Sequence, residues 1–334
     1  MTIHAGDTAA RRTSSSGRAA GSTSASSFRH EALLYEEFDA FVDGAIAFIE
    51  GGLDEDAATL VVVSPAKIDA LRAALGAKAA SVEFADMAVV GANPSRIIPA
   101  WRDFVTRHAG TGRPLRGIGE PIWAQRTPAE LAECHIHESL LNLAFSEGPA
   151  FWLLCPYDTR SLDGAALAGA RRNHAFVQSG ADHHQSEDFS ASAADLFGEP
   201  LPPSPADAES LHFARDDLSD VRRLVRRRAR DCGLDGDRAT DLIFAINELA
   251  TNSVIHGEGR GTLVVWRERD TLLCEVRDDG ILDRPLAGRV RPKVDQPGGR
   301  GLWLVNQLCD LVQVRTLSVG TVVRVHQHLT AGAG

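Results

Sequence analysis

The sequence predicts an α/β domain built on a mostly parallel sheet, followed by a second domain of different layout. Three observations carry this reading. The chain has 334 residues, and at about 150 residues per domain that length points to two domains. Up to about residue 180, apolar strand-like runs alternate with helical stretches, the order that parallel strands with helical crossovers require. Between 181 and 208 the text becomes ADHHQSEDFSASAADLFGEPLPPSPADA. That stretch is acidic and rich in Ser and Pro, and reads as a linker with a brief structured turn at Leu196–Phe197.

Residues 1–27 hold Ser, Ala, Gly and Thr with almost no large apolar side chains, so burial cannot offset their ordering entropy and a disordered tail is expected. The twin arginine Arg11-Arg12 lacks a following apolar region and is not an export signal. The α/β domain spans 28–180. HEALLY (30–35), ATLVVV (58–63) and FWLLCPYD (151–158) read as buried strands. Helices are expected over 37–53, 65–76, 94–110, 127–145 and 163–179. The second domain spans 209–329, with a short tail at 330–334. It opens with a strand at SLHFA, then helices at 218–232 and 237–256 and strands at 261–268 and 271–277. A Gly/Pro/Arg loop covers 279–300, a short helix 301–310, and a last strand pair 311–317 and 320–329.

Hydrophobic residues make up 44% and charged residues 24%, so most of the chain can bury a core. The formal net charge is −10, which argues against a coat for nucleic acid or anionic lipid. From Glu209 onward there are 19 basic and 18 acidic residues, and before it 16 and 27. The two parts are electrostatically different objects. The five cysteines, Cys134, Cys155, Cys232, Cys274 and Cys309, are scattered and never spaced CxxC. Reduced thiols in a cytoplasmic protein are the expectation. No apolar run reaches the length of about 18 residues that a membrane span needs.

In DRATDLIFAINELATNSVIHG, Leu242, Ala245, Ile246, Leu249 and the 253–254 pair form an apolar stripe. Glu248, Asn252 and His256 are spaced by four and share another side of that helix. A carboxylate, an amide and an imidazole in one row suit a metal- or water-organising edge, and equally a solvated face. LLCEVRDDG ends a strand at Asp278-Asp279-Gly280, where a carboxylate beside a sharp turn can accept from a ligand amine. Gly298, Gly299, Arg300 and Gly301 then open a helix, where backbone N–H groups and the helix dipole favour phosphate, with Arg300 as a bidentate contact. The final hairpin turns at Gly320-Thr321.

In that order, ELATNSVIH, DDG, GRGLWLV and GTVV, the motifs resemble the GHKL ATPase domain, and more narrowly the bacterial anti-sigma factor serine kinases. The resemblance covers about 209–329. It implies an α+β sandwich of a mixed sheet on helices, with ATP between the Asn-bearing helix and the Gly-rich loop. It implies Asn252 as the Mg²⁺ ligand, Glu248 as the general base, and Asp278 as acceptor for the adenine amine, with Gly280 making room for the ring. Gly299 and Gly301 would pack under the phosphates, with Arg300 and Thr321 beside the nucleotide. Leu282 stands where the family usually carries a second glycine. The implied partners are a sigma factor, sequestered by this domain, and an anti-anti-sigma (STAS-like) antagonist phosphorylated on serine. Two other readings stay open: a binding module with little or no nucleotide affinity, and a histidine kinase-like sensor. For the latter His30-Glu31 is a superficial acceptor motif, better read as structural or pocket-lining. Direct nucleic-acid or membrane partners are not expected, and monomer and homodimer both remain open.

Arg222, Arg223, Arg226, Arg227, Arg228 and Arg230 lie mostly outside the apolar stripe of Val221, Leu224, Val225 and Cys232, as a solvated cationic face or a docking surface for an acidic partner or for the acidic linker of this same chain.

Residues 28–180 resemble the MEDS sensory domain through HEALLY, GLDEDAATLVVVSP, GEPIW, CPYD and the helix carrying His174. This implies a RecA-like α/β sensor of an unknown small-molecule signal, and no P-loop motif is present. In parallel sheets ligands gather outside the carboxyl ends of the strands. His30, Glu120, Cys155, Tyr157, Asp158 and His174 are therefore candidates for a sensor pocket, or else capping and turn residues. Cys134, His135 and His137 point to different sides of one helix and are not expected to share a metal.

Overall fold

The computed structural model describes residues 28–180, 182–190, 196–234, 236–293 and 299–329. The expected disordered segment 1–27, the tail at 330–334 and Gly298 lie outside the described residues.

The first unit runs β1 (Phe28–Tyr35), α1 (Phe38–Asp54), β2 (Ala58–Val63), α2 (Pro65–Leu75), β3 (Glu83–Asp86), α3 (Met87–Val90), α4 (Ile97–His108), β4 (Leu115–Gly119), α5 (Pro128–Ala144), β5 (Phe151–Asp158), α6 (Gly164–Asn173), β6 (Phe176–Ser179) and β7 (Asp182–Gln185). Its sheet has the order β3-β2-β4-β5-β1-β6-β7. Every pairing is parallel except β6 with β7. Because strand side chains alternate between faces, Ala32, Leu34, Leu153 and Cys155 pack under α4, α5 and α6. Leu33, Tyr35 and Leu154 pack under α1 and α2. Helix α5 starts at a complete capping box, Thr127 with Glu130, and has Pro128 in its first turn.

Three expectations need correction. The helix expected over 163–179 stops at Asn173, where His174 is extended (φ −115°, ψ 127°). Phe176–Ser179 instead pairs with the edge of β1, a position that favours an aromatic and β-branched run over helical continuation. The helix expected over 94–110 opens as a 3-10 turn at Pro94–Arg96 before α4 begins. The 181–208 stretch is only partly a linker, since β7 lies within it. Further along, Phe197 O accepts from Thr316 N at 3.0 Å and Pro202 O from Arg324 Nη2 at 2.6 Å, which lays this segment against the second sheet.

The second unit runs β8 (Glu209–Ala214), α7 (Leu218–Asp231), α8 (Gly236–His256), β9 (Arg260–Glu268), β10 (Thr271–Asp278), α9 (Arg300–Leu308), β11 (Leu311–Leu317) and β12 (Gly320–His328). The sheet order is β11-β12-β10-β9-β8. The expected mixed sheet is antiparallel at every pairing. Short hairpins join β9 to β10 and β11 to β12, and such connections permit no other sense. Val221, Leu242, Ala245, Ile246, Leu249 and Val305 of the helices pack with Leu263, Cys274, Val276 and Val325 of one sheet face.

Buried polar contacts join the two units. Asn93 Nδ2 donates to Asn306 O at 3.2 Å. Arg96 donates to Asn306 O (2.7 Å) and Cys309 O (2.8 Å), placing a cation on the carbonyl end of α9 where the helix dipole favours it. Glu133 of α5, fully buried, accepts from Arg289 (3.1 Å) and Arg315 (2.7 Å), themselves buried. Among the described residues, no helix is long and apolar enough to cross a membrane.

Candidate functional site

A cavity of 460 Å³ opens between α8, the end of β10, the 280–292 loop and the start of α9. Asp278, the last residue of β10, lines it. Its Oδ2 accepts from Ser253 Oγ at 2.6 Å and its Oδ1 from Gly280 N at 2.9 Å. The carboxylate is thus aimed by two donors and retains lone pairs for a ligand amine. Thr321, opposite Asp278 in the β10–β12 register, donates from Oγ1 to Gly280 O at 2.8 Å. Leu249, Val276, Ile281, Leu282, Leu302 and Val323 supply apolar walls, suited to a flat base between a polar end and an open mouth. Leu282 lies in the wall itself.

At the mouth, Gly299 is the N-cap of α9 in the left-handed conformation (φ 80°), which glycine adopts without strain. A Cβ on Gly301 would lie 3.1 Å from both Asn252 Nδ2 and Glu248 Oε2. The first turn of α9 therefore meets the Glu248–Asn252 row directly, and any larger side chain at position 301 would crowd those two groups. Asn252, His256, Asp278, Gly280, Gly299, Gly301 and Thr321 all line the cavity. Glu248 stands just beyond the lining beside Gly301, and Arg300 is exposed in the first turn of α9. Uncapped N–H groups of a helix start for phosphate, an amide oxygen for a hard cation and a buried-edge carboxylate for an amine form a donor set that fits ATP-Mg²⁺. The sequence gives Ser253 only a core position, since a serine on an apolar stripe looks like packing.

The arginines of α7 pair within the chain in part. Arg222 donates to Asn247 Oδ1 at 2.7 Å, Arg223 pairs with Asp220, and Arg227 pairs with Glu209.

The six candidate sensor residues fall into two places. Glu120 and Asp158 line a cavity of 370 Å³ with Tyr35, Lys67, Trp123 and Ser161, at the carboxyl ends of β1, β4 and β5. Glu120 accepts from Tyr35 Oη at 3.0 Å and pairs with Lys67. Burial raises its carboxyl above the ordinary value against the pull of Lys67. His30, Cys155, Tyr157 and His174 gather instead under α5 and α6, around Glu138. Burial lowers His30 to about 4 and raises the Cys155 thiol and the Tyr157 hydroxyl. Glu138 escapes sequence inspection because it sits in an amphipathic helix where a glutamate reads as surface. The available signal is its position: Glu133, His137 and Glu138 occupy helix positions that tertiary packing buries. Cys134 Sγ donates to Pro121 O at 3.2 Å, away from that cluster.

An α/β unit with ligand-type residues on its strands is thus joined to a sandwich whose cleft suits a nucleotide. The families agree. Residues 29–175 match the MEDS model (methanogen/methylotroph, DcmR sensory domain), and residues 212–326 match the histidine kinase-like ATPase domain. The first unit therefore carries a MEDS match and the second a histidine kinase-like ATPase match. No curated protein matches the sequence. Among solved structures it is similar to the RsbU and RsbW domains of Rv1364c from Mycobacterium tuberculosis, at 20% identity and a TM-score of 0.28. That likeness covers 39% of this chain and 34% of the other, so the chain spans about a third of that structure's length.

Proposed function

We propose that the protein is a cytoplasmic anti-sigma regulatory factor that binds ATP-Mg²⁺, phosphorylates a serine on an anti-anti-sigma (STAS-like) antagonist and sequesters a sigma factor, biased by its MEDS domain. The observation that carries this reading is the junction of Gly301 with Asn252 and Glu248 at the mouth of a cavity that Asp278 lines. The narrower anti-sigma assignment rests on the motif resemblance.

When bound, ATP-Mg²⁺ supplies the γ-phosphoryl group and the charge that neutralises it. Asn252 holds the cation through its side-chain oxygen, Asp278 accepts from the adenine amine, and the N–H groups at Gly299–Gly301 hold phosphate oxygens. Glu248 takes the proton of the attacking serine. Positioning and electrostatics are most of what phosphoryl transfer requires. Partner switching follows if the unphosphorylated antagonist competes with sigma for the same domain. The contacts of Arg96 and Glu133 with α9, Arg289 and Arg315 give the sensor a direct hold on the cleft, because Arg289 lies in the loop that lines it.

Leu282 in the cavity wall favours a second reading, a module that binds partners with weak nucleotide affinity. Titration calorimetry with an ATP analogue and Mg²⁺ on the native chain and Asn252→Ala tests the first. Heat of binding lost in the variant supports it, and equal heats refute it. Labelled ATP with candidate antagonists then separates kinase from module. An acid-stable label on a partner serine marks a kinase, tight partner binding without transfer marks a module, and an acid-labile label on this chain marks a histidine kinase-like sensor.

A further inference from the structure

Under α5 and α6 the two central strands present His30 and Cys155 toward Glu138 of α5 and His174, which caps α6. His30 Nε2 lies 3.2 Å and His174 Nε2 3.3 Å from Glu138 Oε2. Cys155 Sγ lies 3.3 Å from His30 Nε2. One ligand atom from each of the four residues falls within 4.8 Å of the others, and all four residues are buried. Among the described residues, neither oxygen of Glu138 nor His174 Nε2 has a partner in hydrogen-bonding geometry, although these atoms are fully enclosed. A carboxylate buried without hydrogen bonds is costly.

The outer contacts fix which nitrogens face inward. His174 Nδ1 donates to Ala170 O at 2.7 Å. Asn142 Nδ2 donates to Asn173 O at 2.8 Å, which turns its Oδ1 toward His30 Nδ1 at 3.3 Å. Both imidazoles therefore spend their N–H on these acceptors and point Nε2 lone pairs at the carboxylate and the sulfur. Such orientation by a backbone carbonyl or amide is the usual support of a metal-binding histidine. A convergence of lone pairs calls for a cation at its centre.

We propose that His30 Nε2, Glu138, Cys155 Sγ and His174 Nε2 form a tetrahedral site for a divalent transition ion of the zinc class. Zinc bonds of about 2.0–2.3 Å to N, O and S give tetrahedron edges of about 3.3–3.6 Å, close to the 3.2–3.3 Å separations of three of the ligand pairs, with the remaining pairs within 4.8 Å. One thiolate and one carboxylate balance a dication, so the loaded core is electrically neutral. Cys155 loses its proton to solvent as the metal–sulfur bond forms. Two imidazoles, a thiolate and a carboxylate suit zinc, and cobalt(II) as its spectroscopic stand-in, over magnesium or calcium. Glu138 is five residues from Glu133 on α5, about 7.5 Å along the helix axis, so the site and the contacts to the ATPase domain share one rigid element.

The test uses the full chain, purified without chelator and analysed for metals by mass spectrometry, then stripped and reloaded with Co²⁺. About one equivalent of zinc or a similar first-row ion per chain is expected. The Co²⁺ form should show tetrahedral d–d bands and a thiolate-to-cobalt charge-transfer band in the near ultraviolet. Cys155→Ser should remove the charge-transfer band and weaken Zn²⁺ binding by more than about 100-fold, since even outer-shell changes cost 10–100-fold. His174→Ala should lower metal content with the thiolate band of any residual Co²⁺ retained. A native chain that neither carries nor takes up the ion, or takes up Co²⁺ with no thiolate band, overturns the proposal. A Cys155→Ser protein that binds Zn²⁺ as tightly as the native chain also overturns it.

Discussion

Replacing Glu133 with alanine attacks the strongest link between the two domains. Its carboxylate is fully buried and both oxygens are used, one by Arg289 and one by Arg315. Among the described residues Arg289 Nη1 is already without a hydrogen-bond partner, and Glu133 is the only carboxylate paired with either arginine, so the variant leaves two enclosed guanidiniums without a described counter-charge. Breaking a buried ion pair from one side costs about 3–5 kcal/mol. Because Glu133 stands in the MEDS domain and both arginines in the ATPase domain, the loss should appear in the unfolding of each. Equilibrium urea unfolding, followed by tryptophan fluorescence and far-ultraviolet circular dichroism, measures it. A second variant separates charge from packing: Glu133→Leu with Arg289→Leu and Arg315→Met should recover most of the stability, since an apolar replacement leaves no buried charge behind. A loss under about 1 kcal/mol in Glu133→Ala, or no recovery in the triple variant, refutes the reasoning.

Gly301→Val should abolish binding of an ATP analogue by calorimetry with little change in circular dichroism, because its side chain enters the space between α9 and Asn252–Glu248; unchanged affinity counts against the cleft. Ser253→Ala removes one of two donors that aim Asp278 and should weaken nucleotide binding about fivefold, the equivalent of about 1 kcal/mol, as read by the same titration. His326 is pushed down to about 4 chiefly by burial, with Arg324 and His328 adding to it. The folded chain therefore binds fewer protons there than the unfolded chain, and stability is lost as pH falls from about 6.5 toward 4; His326→Gln should flatten that part of the urea-midpoint profile relative to the native chain.

Much of the fold is legible in the sequence because local chemistry repeats the tertiary answer. ATLVVV is β2 to the residue, and Thr127-Pro128 with Glu130 starts α5 where capping demands it. The proposed nucleotide cleft is nearly as legible as a place in the fold: Asn252, Asp278, Gly280 and Gly301 stand in ordered motifs, and they line one cavity. Short strands with weak signals are not legible. β4 reads LRGIG, and its strand state depends on lying between β2 and β5. Glu120 and His30 share a pocket on paper, yet they end on opposite faces of one sheet, since one residue of register reverses a side chain's direction.

The sequence by itself determined an α/β unit first and a glycine-marked turn ahead of a helix in the second half, because hydrophobic period and turn chemistry are encoded over a few residues, while the sensor and ATPase readings came from the resemblance of ordered motifs. Only the tertiary structure decided which distant polar groups meet. The grouping of His30, Cys155 and His174 around Glu138, and the grip of Arg289 and Arg315 on Glu133, join residues far apart in the chain. Such meetings depend on the relative placement of packed elements, for which no short stretch of sequence carries a signal.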